Sequence, residues 1–344
     1  MVEVSPRSET ISIRYWHYLV FLAVLALAGL GWLWWALGSK WGAGNATVET
    51  WRPFLRAGAR APAQARPVDD MAQALRIHRV VRTGEKRFAI LFSATDAQGG
   101  PLVVVTPADL AVSLGNGAAA RQPATVERVT PLHQMTAWAE RATFACVMDW
   151  SGSMFAQDLQ AQVTHYGSFL KGLAIPYSGL VYKFQTDVQK LAGPTSDPAV
   201  LEAAVRQDNP QGSTALYAAV DTALGPLQKA PWLRFELLTT DGNDNVGGAS
   251  LEDVVRRARQ HEVSLFVLGF GWVEVDVLRR LADGTDGFFA YVPDSADLGT
   301  WFARLAAVVN NVQVAEVTAP FDAARPGSIE LTLRAGATTL TRAR

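Results

Sequence analysis

Five residues whose side chains carry oxygen atoms stand where a protein could hold a metal ion. Asp149, Ser151 and Ser153 alternate within one short run, Thr214 follows well downstream, and Asp241 lies further along the chain. Two carboxylates roughly neutralise a divalent cation, and hydroxyls add donors without adding charge. A set made only of oxygen donors favours hard cations such as Mg²⁺, Mn²⁺ or Ca²⁺, and it lacks the histidine and cysteine ligands typical of zinc. The residue types therefore predict a divalent-cation site.

The segments around these residues predict the elements that position them. Apolar strands alternate with amphipathic helical segments over residues 139–312. This alternation predicts the α/β class, with a doubly wound, mostly parallel sheet flanked by helices. Asp149 and Asp241 each directly follow a predicted strand, and ligands of such open sheets bind beyond the carboxyl ends of the strands. The two carboxylates are thus expected at one rim of the sheet. The strand candidates are 143–148, 180–184, 234–239, 263–268 and 287–292.

Three runs of sequence resemble a known metal site. They read Asp149-Trp150-Ser151-Gly152-Ser153, Gly212-Ser213-Thr214 and Thr240-Asp241-Gly242. In order and spacing they are similar to the metal-ion-dependent adhesion site (MIDAS) of von Willebrand factor type A (VWA) domains. The resemblance implies a VWA fold, related to the Rossmann fold, and a protein that binds a partner rather than an enzyme.

The resemblance also implies roles for the individual residues. Asp149, Ser151 and Ser153 form the first motif, Thr214 supplies a switchable ligand, and Asp241 binds the metal directly or through water. An Asp or Glu carboxylate of a protein partner would complete the coordination. The bulky Trp150 departs from the family pattern and is expected to pack, or to shape a contact surface beside the metal. A further acidic residue, Asp244, is expected to be a solvated loop charge or to support the ligands.

Other interpretations of the same residues stay open at this stage. A chain can retain the motif without using the metal, or the metal can merely rigidify a loop of a structural envelope protein. A hydrolase would need a histidine base near Ser151 or Ser153, and no Gly-x-Ser-x-Gly motif surrounds Ser151. The sequence therefore predicts no catalytic residues.

Two β-rich stretches flank the α/β unit. Residues 72–138 contain short strand patterns separated by turns, and residues 313–344 return to short β-branched strands. Three tail strands do not form a stable unit alone, so they need a partner. We expect them to pair with the strands of 72–138 in an accessory β-sandwich into which the VWA unit, 139–312, is inserted. This arrangement resembles a bacterial subgroup of VWA proteins.

The N-terminal part predicts an attachment to a membrane. Residues 18–38 are apolar and uncharged up to Gly38, long enough to span a bilayer as one helix, after a tail of residues 1–17. A cleaved signal peptide is the competing interpretation, since Ala26-Leu27-Ala28 offers a small-residue cleavage site. The stretch 39–71 is rich in Ala, Arg, Gly and Pro and predicts a linker. Basic residues on both sides leave the orientation open, and we expect a single-pass cell-membrane protein with its body outside the cytoplasm.

The bulk composition narrows the partners. The formal net charge of −1 gives no electrostatic reason to bind nucleic acid. The single cysteine, Cys146, excludes an internal disulfide and falls in an apolar strand, where it is expected to be a buried small hydrophobic residue.

Overall fold

The computed structural model describes residues 68–344 except 103–105, 118, 137, 206–208 and 337. These residues form two seven-stranded sheets, one mostly parallel and flanked by helices, the other antiparallel. The predicted N-terminal tail, the predicted span of residues 18–38 and most of the predicted linker lie outside the described residues. Within residues 68–344 as described, no helix is both long enough and apolar enough to cross a membrane.

The first sheet, here called the central sheet, has strands in the order β1-β11-β10-β9-β6-β7-β8. Its five inner strands run parallel, and the two edge strands, β1 and β8, are antiparallel to their neighbours. The strands are β1 (Val68–Asp69), β6 (Ala142–Asp149), β7 (Tyr177–Phe184), β8 (Val188–Thr195), β9 (Leu233–Thr240), β10 (Ser264–Phe270) and β11 (Phe289–Val292). The predicted α/β class and mostly parallel sheet are confirmed.

Helices cover both faces of the central sheet. They are α1 (Ala156–Gly172), α2 (Pro198–Ala204), α3 (Leu216–Leu227), α4 (Leu251–His261), α5 (Val275–Asp283) and α6 (Leu298–Asn310). Along β6, Phe144 and Met148 join the core on one face, whereas Ala145 and Val147 join the core on the other. Because successive side chains of a strand point to opposite faces, a parallel strand buried on both faces is apolar along most of its length, as β6 is. Cys146 is fully buried in this strand as a free thiol.

The second sheet has the order β14-β13-β4-β5-β12-β3-β2. Strand β5 pairs with β4 at its start and with β12 over the rest of its length, so it belongs to both halves of the sheet. Apolar side chains from both halves, such as Phe88, Ile90, Val112 and Leu331, share one core. The strands are β2 (Leu75–Gly84), β3 (Arg87–Ala94), β4 (Leu110–Gly115), β5 (Gln122–Pro131), β12 (Gln313–Thr318), β13 (Ser328–Ala335) and β14 (Thr338–Ala343).

The chain enters the α/β unit from the second sheet and returns to it. Strand β12 lies between β3 and β5, and β13 pairs with β4, so the C-terminal strands lie within the same sheet as the strands that precede the α/β unit. Helix α6 ends at Asn310 and β12 begins at Gln313. The last helix of the α/β unit therefore leads directly into an inner strand of the second sheet.

One predicted boundary is wrong. The linker was expected to extend to residue 71, yet Val68–Asp69 pairs with β11 as an edge strand of the central sheet, and Met71 is buried. The apolar side chains of Val68 and Met71 pack against the folded body, which outweighs the linker-like composition before them. The antiparallel edge strand β8 was also missed, because its half-exposed residues follow no clear apolar pattern.

Candidate metal centre

Two neighbouring parallel strands bring the predicted carboxylates together. Asp149 is the last residue of β6, and Asp241 directly follows β9, with Met148 and Thr239 paired in register between these strands. Both side chains are buried, Asp149 with none of its surface exposed and Asp241 with 6%. The carboxyl ends of β6 and β9 thus form one edge of the candidate site.

A chain of hydrogen bonds connects four of the predicted residues with one that was not predicted. The backbone N–H of Ser151 donates to Asp149 Oδ1 at 2.8 Å, and the Thr240 hydroxyl donates to Asp149 Oδ2 at 2.6 Å. The Ser153 hydroxyl donates to Asp241 Oδ1 at 2.7 Å and lies 3.0 Å from the Ser151 hydroxyl. Sequence reasoning missed Thr240, although it stands directly before Asp241.

Thr214 reaches the same rim from the loop before α3. A Cβ atom built onto Gly242 would lie 3.4 Å from Thr214 Oγ1 and 3.5 Å from Ser153 Oγ, so both hydroxyls border one small space that the glycine leaves open. The loop is held in place by Gly212, whose carbonyl accepts a hydrogen bond from the backbone N–H of Gly152 at 3.0 Å. The structure therefore places all five predicted residues around one rim.

Asn245 is a further residue that the sequence reasoning missed. Its Oδ1 accepts a hydrogen bond from the Thr214 N–H at 2.7 Å, and its own backbone N–H donates to the Thr214 carbonyl at 3.0 Å. This reciprocal pair ties the Thr214 loop to the loop that follows Asp241. No local sequence pattern marks Asn245 as a supporting residue, because asparagine is common in turns whether or not a binding site lies nearby.

Burial changes the acidity of both carboxyl groups. Burial raises the pKa of Asp149, and the hydrogen bonds from Ser151 and Thr240 oppose that shift. Burial also raises the pKa of Asp241 to about 7, with the nearby charge of Asp149 adding to the shift and the Ser153 hydroxyl opposing it. Two adjacent buried carboxylates disfavour each other's charged forms, and a nearby cation reverses this effect.

The donor set fits a hard divalent cation. All five side chains offer oxygen, Ser153 is exposed at the rim, and the glycine at 242 keeps the space beside Thr214 free of a side chain. In the part of the chain that the structure describes, neither carboxylate forms an ion pair with Lys, Arg or His, and no group of three or more His, Cys, Asp or Glu side chains could hold a metal. Binding here would thus depend on two carboxylates supplemented by hydroxyls, the preference of Mg²⁺, Mn²⁺ and Ca²⁺.

Two neighbouring residues have structural roles. Asp244 is half-buried, and it is tied to the backbone: its Oδ1 accepts a hydrogen bond from the Tyr217 N–H at 3.0 Å and its Oδ2 accepts one from the Gly247 N–H. Asp244 thereby satisfies a free N–H in the first turn of α3. Trp150 packs in the core, with 2% of its surface exposed.

Comparison with known proteins identifies the domain. Residues 145–304 match the family model of the von Willebrand factor type A domain. The chain therefore contains a VWA domain, as its metal-site motifs predict. None of the curated proteins compared with the chain matches it.

Solved structures with a similar arrangement come from several organisms. A von Willebrand factor type A protein from Catenulispora acidiphila is 13% identical over 83% of this chain and 75% of its own, with a TM-score of 0.45. Proximal thread matrix protein 1 from the mussel byssus, with a zinc-occupied MIDAS motif, is 19% identical over 52% of this chain and 48% of its own, with a TM-score of 0.46. The match thus spans about half the length of the mussel protein. BatB from Bacteroides thetaiotaomicron is 19% identical over 48% of this chain and 98% of its own, with a TM-score of 0.42.

Proposed function

We propose that this protein is a membrane-anchored module that captures a carboxylate of a protein partner through a divalent cation held by Asp149, Ser151, Ser153, Thr214 and Asp241. The observation that supports it best is the pair of buried carboxylates at the rim, which has no cationic partner in the described chain. Buried charges are costly unless they are paired or bound to a metal. A divalent cation from outside the chain would neutralise this pair in its ionised form.

Hydrogen bonds from neighbouring residues would position the side chains that hold such an ion. Asp149 is fixed by the Ser151 N–H and the Thr240 hydroxyl, so its carboxylate is oriented before any ion arrives. Ser153 holds Asp241 through a hydrogen bond, and Asn245 holds the backbone of Thr214. When bound, a divalent cation with free coordination positions supplies a site for an incoming carboxylate oxygen. Mg²⁺ is the ion we propose, with Mn²⁺ or Ca²⁺ as substitutes.

Anchoring and location belong to the same proposal. Residues 18–38 would span the cell membrane once, and the folded body would lie outside the cytoplasm, where it can meet partner proteins. The apolar composition and length of this stretch support the span. The formal net charge of −1 supports a protein partner over a nucleic acid.

Titration of the full-length chain with Mg²⁺ tests the metal site. We expect one site per chain in isothermal titration, and we expect Asp149→Ala to weaken binding by roughly 100-fold or more, because even changes outside the ligand set cost 10- to 100-fold. Asp276→Asn is the matched control, since it also removes a carboxylate but from an exposed position on α5. Equal Mg²⁺ binding by wild type and Asp149→Ala would contradict the proposed ligand set. Zn²⁺ should be titrated in parallel, because the mussel protein holds zinc in its MIDAS motif.

Partner capture separates recognition from a purely structural use of the metal. In Mg²⁺, capture of a partner from a membrane extract should be blocked by excess N-acetylaspartate methylamide but not by the asparagine analogue. The same capture should be lost with a chelator and in Asp149→Ala. If Mg²⁺ raises the melting temperature and no capture depends on it, the metal serves only to stabilise the fold and the proposed recognition is wrong.

A further inference from the structure

An exposed tryptophan stands beside the candidate metal centre. Trp272 lies in the loop after β10, at the same edge of the central sheet where Asp241 follows β9, and 43% of its surface is exposed. The preceding residue, Gly271, lies against Asp241, because a Cβ atom built on the glycine would be 3.3 Å from Asp241 Cβ. The Tyr291 hydroxyl donates to the Gly271 carbonyl at 3.0 Å. The loop that carries the indole is therefore held directly against a predicted metal ligand.

A carboxylate accompanies this tryptophan. Glu274 is exposed in the same loop, and its backbone N–H donates to Asn243 Oδ1 at 2.6 Å, which ties the loop after β10 to the loop after β9. The nearest arginines along the chain, Arg279 and Arg280, pair with other carboxylates at 2.9 Å and 2.6 Å. Within the described chain the Glu274 carboxylate forms no ion pair, so its charge is available to a cation from outside.

The loops at this edge of the sheet differ from the rest of the chain in charge. Their described residues are 150–155, 185–187, 209–215, 241–250, 271–274 and 293–297, and none of these is Lys, Arg or His. Besides the rim pair, the same loops carry exposed or half-buried carboxylates, which are Asp187, Asp244, Glu274, Asp294 and Asp297. A divalent cation would offset only the two rim carboxylates. Charge complementarity therefore favours a partner that is basic around the carboxylate it offers.

An exposed indole with a carboxylate in the same loop suits a basic side chain. The face of a tryptophan attracts an ammonium or guanidinium group, and a guanidinium group can stack on the ring while it donates to a carboxylate. Val246, in the loop after Asp241, is also 43% exposed and offers apolar surface on which the methylene groups of Lys or Arg can rest. A neutral or acidic side chain would gain neither the ion pair nor the attraction to the ring.

The geometry points to a basic-residue subsite beside the metal, in which Trp272 and Glu274 bind a Lys or Arg side chain of the partner. This inference rests on the proposed function, because the carboxylate captured by the metal determines where the partner lies. Since Gly271 lies against Asp241, the basic residue stands close to the acidic one. In an extended segment, side chains two positions apart point the same way and are about 7 Å apart. The subsite would thus select acidic residues with a basic neighbour, whereas the metal alone would accept any accessible carboxylate.

Binding of defined peptides to the full-length chain in saturating Mg²⁺ tests this inference. The probes are three capped pentapeptides of the form X-Ala-Asp-Ala-X, in which both X residues are Arg, Gln or Glu. Placing X on both sides makes the test independent of the direction in which the peptide binds. We expect the Arg peptide to bind about tenfold more tightly than the Gln peptide, because an exposed ion pair and a cation–π contact each contribute a modest factor. The Glu peptide should bind most weakly.

Two substitutions localise the preference for Arg. Glu274→Gln should reduce the affinity of the Arg peptide to that of the Gln peptide. Trp272→Leu keeps an apolar side chain but removes the aromatic ring, and it should reduce the preference by a few fold. Glu127→Gln is the matched control, because Glu127 is also exposed but lies on β5 of the second sheet. Circular dichroism and a Mg²⁺ titration check the fold and the metal site of each variant, and Glu274→Gln alone decides if Trp272→Leu fails to fold.

The outcomes separate the two proposals. Mg²⁺-dependent binding with equal affinity for the Arg and Gln peptides, or a preference for Arg that survives Glu274→Gln, overturns the subsite and leaves the metal proposal standing. A preference for Arg that persists in a chelator but is lost in Glu274→Gln supports the subsite and contradicts metal-dependent capture. Absence of binding by the Arg peptide overturns the subsite, and the Mg²⁺ titration then decides the metal site by itself.

Discussion

Among the described regions that bury carboxylates, two treat the charge in opposite ways. At the inter-sheet seam, where the α/β unit meets the second sheet, Glu262 and Asp286 are nearly buried and each contacts arginines. At the metal-site rim, Asp149 and Asp241 are equally buried, but within the described residues only hydroxyl and backbone donors accompany them. The ion pairs of the seam join Glu262 with Arg79, Arg325 and Arg344, and Asp286 with Arg342 and Arg344.

The difference separates a structural contact from a binding site. At the seam, the arginines come from β2, β14, the loop before β13 and the chain end, so the charges are neutralised only when the two sheets have come together. At the rim, burial raises the pKa values of both carboxyl groups, and the charge of Asp149 adds to the shift of Asp241. A divalent cation bound at the rim, as proposed above, would favour the charged forms of both carboxyl groups.

The largest effect is expected from removing one charge at the seam. Asp286→Asn should lower the free energy of unfolding by about 3 kcal/mol, because it removes the counter-charge of Arg342 and one of the two carboxylate partners of the buried Arg344. Asn is the appropriate replacement since Asp286 has a positive φ of 56°, which asparagine tolerates. Urea denaturation measures the change. The Mg²⁺ affinity should stay as in wild type, and a parallel loss of metal binding would show that the two regions are coupled.

A smaller effect concerns protons at the rim. The Asp241 pKa near 7 lies above the unfolded value of 3.8, so the folded metal-free protein binds the extra proton between these pH values and loses stability as pH rises through them. Protons and Mg²⁺ compete for the same carboxylate. We expect Mg²⁺ affinity to fall by about tenfold, or about 1.4 kcal/mol, for each pH unit below 7.

The variant Asp241→Asn checks this assignment. It removes the titrating group while an amide oxygen can still accept the Ser153 hydroxyl. Mg²⁺ binding should weaken. The stability of the metal-free protein should become nearly independent of pH between 5 and 8, apart from the contribution of the buried histidine at the seam, His78. A wild-type Mg²⁺ affinity that is flat between pH 5.5 and 7.5 would show that no rim carboxyl group titrates there.

The smallest expected effect is a change of stability with pH at the seam. Acidification lowers stability there, whereas at the metal-free rim a rise in pH lowers it. His78 is buried between Ser93 and Ser264, and burial lowers its pKa from 6.5 to about 3, with Arg344 and Arg76 adding to the shift. The unfolded chain takes up this proton first, so stability is complete above pH 6.5 and declines as pH falls toward 3. Between pH 7 and pH 5.5 the loss should be about 1 kcal/mol.

His78→Gln tests this last expectation, because it replaces the imidazole with a group that does not titrate but can bond to both serines. Denaturation curves at pH 7 and pH 5.5, recorded on wild type and variant in Mg²⁺, measure the difference. A wild type that gains stability on acidification over this range, with the rim saturated by metal, would contradict the buried neutral imidazole.

Local pattern explains why part of the fold could be predicted. The strands β6 and β9 were recognisable because both their faces are buried, which favours apolar and β-branched residues before Asp149 and Asp241. The edge strands β1 and β8 were missed for the same reason, since a half-exposed edge leaves no such run. The VWA domain itself was predicted from its motifs and is confirmed, whereas the metal ligands remain a prediction that titration must test.

Supporting contacts could not be predicted from the sequence. Thr240 and Asn245 form hydrogen bonds with Asp149 and Thr214, which are far from them along the chain. The residues next to Thr240 and Asn245 give no indication of these contacts. Asp244 was interpreted as solvated because a lone carboxylate in a Gly-rich loop usually is. Only the packing of that loop against the first turn of α3 gives it the Tyr217 N–H as a partner.

The residues alone predicted the α/β class, and they predicted that a set of oxygen-bearing side chains lies at the carboxyl ends of the strands, because both depend on apolar periodicity and on residue type. The tertiary structure alone decided which buried charges are neutralised within the chain, since Asp286 and Arg344 meet only after both sheets have formed.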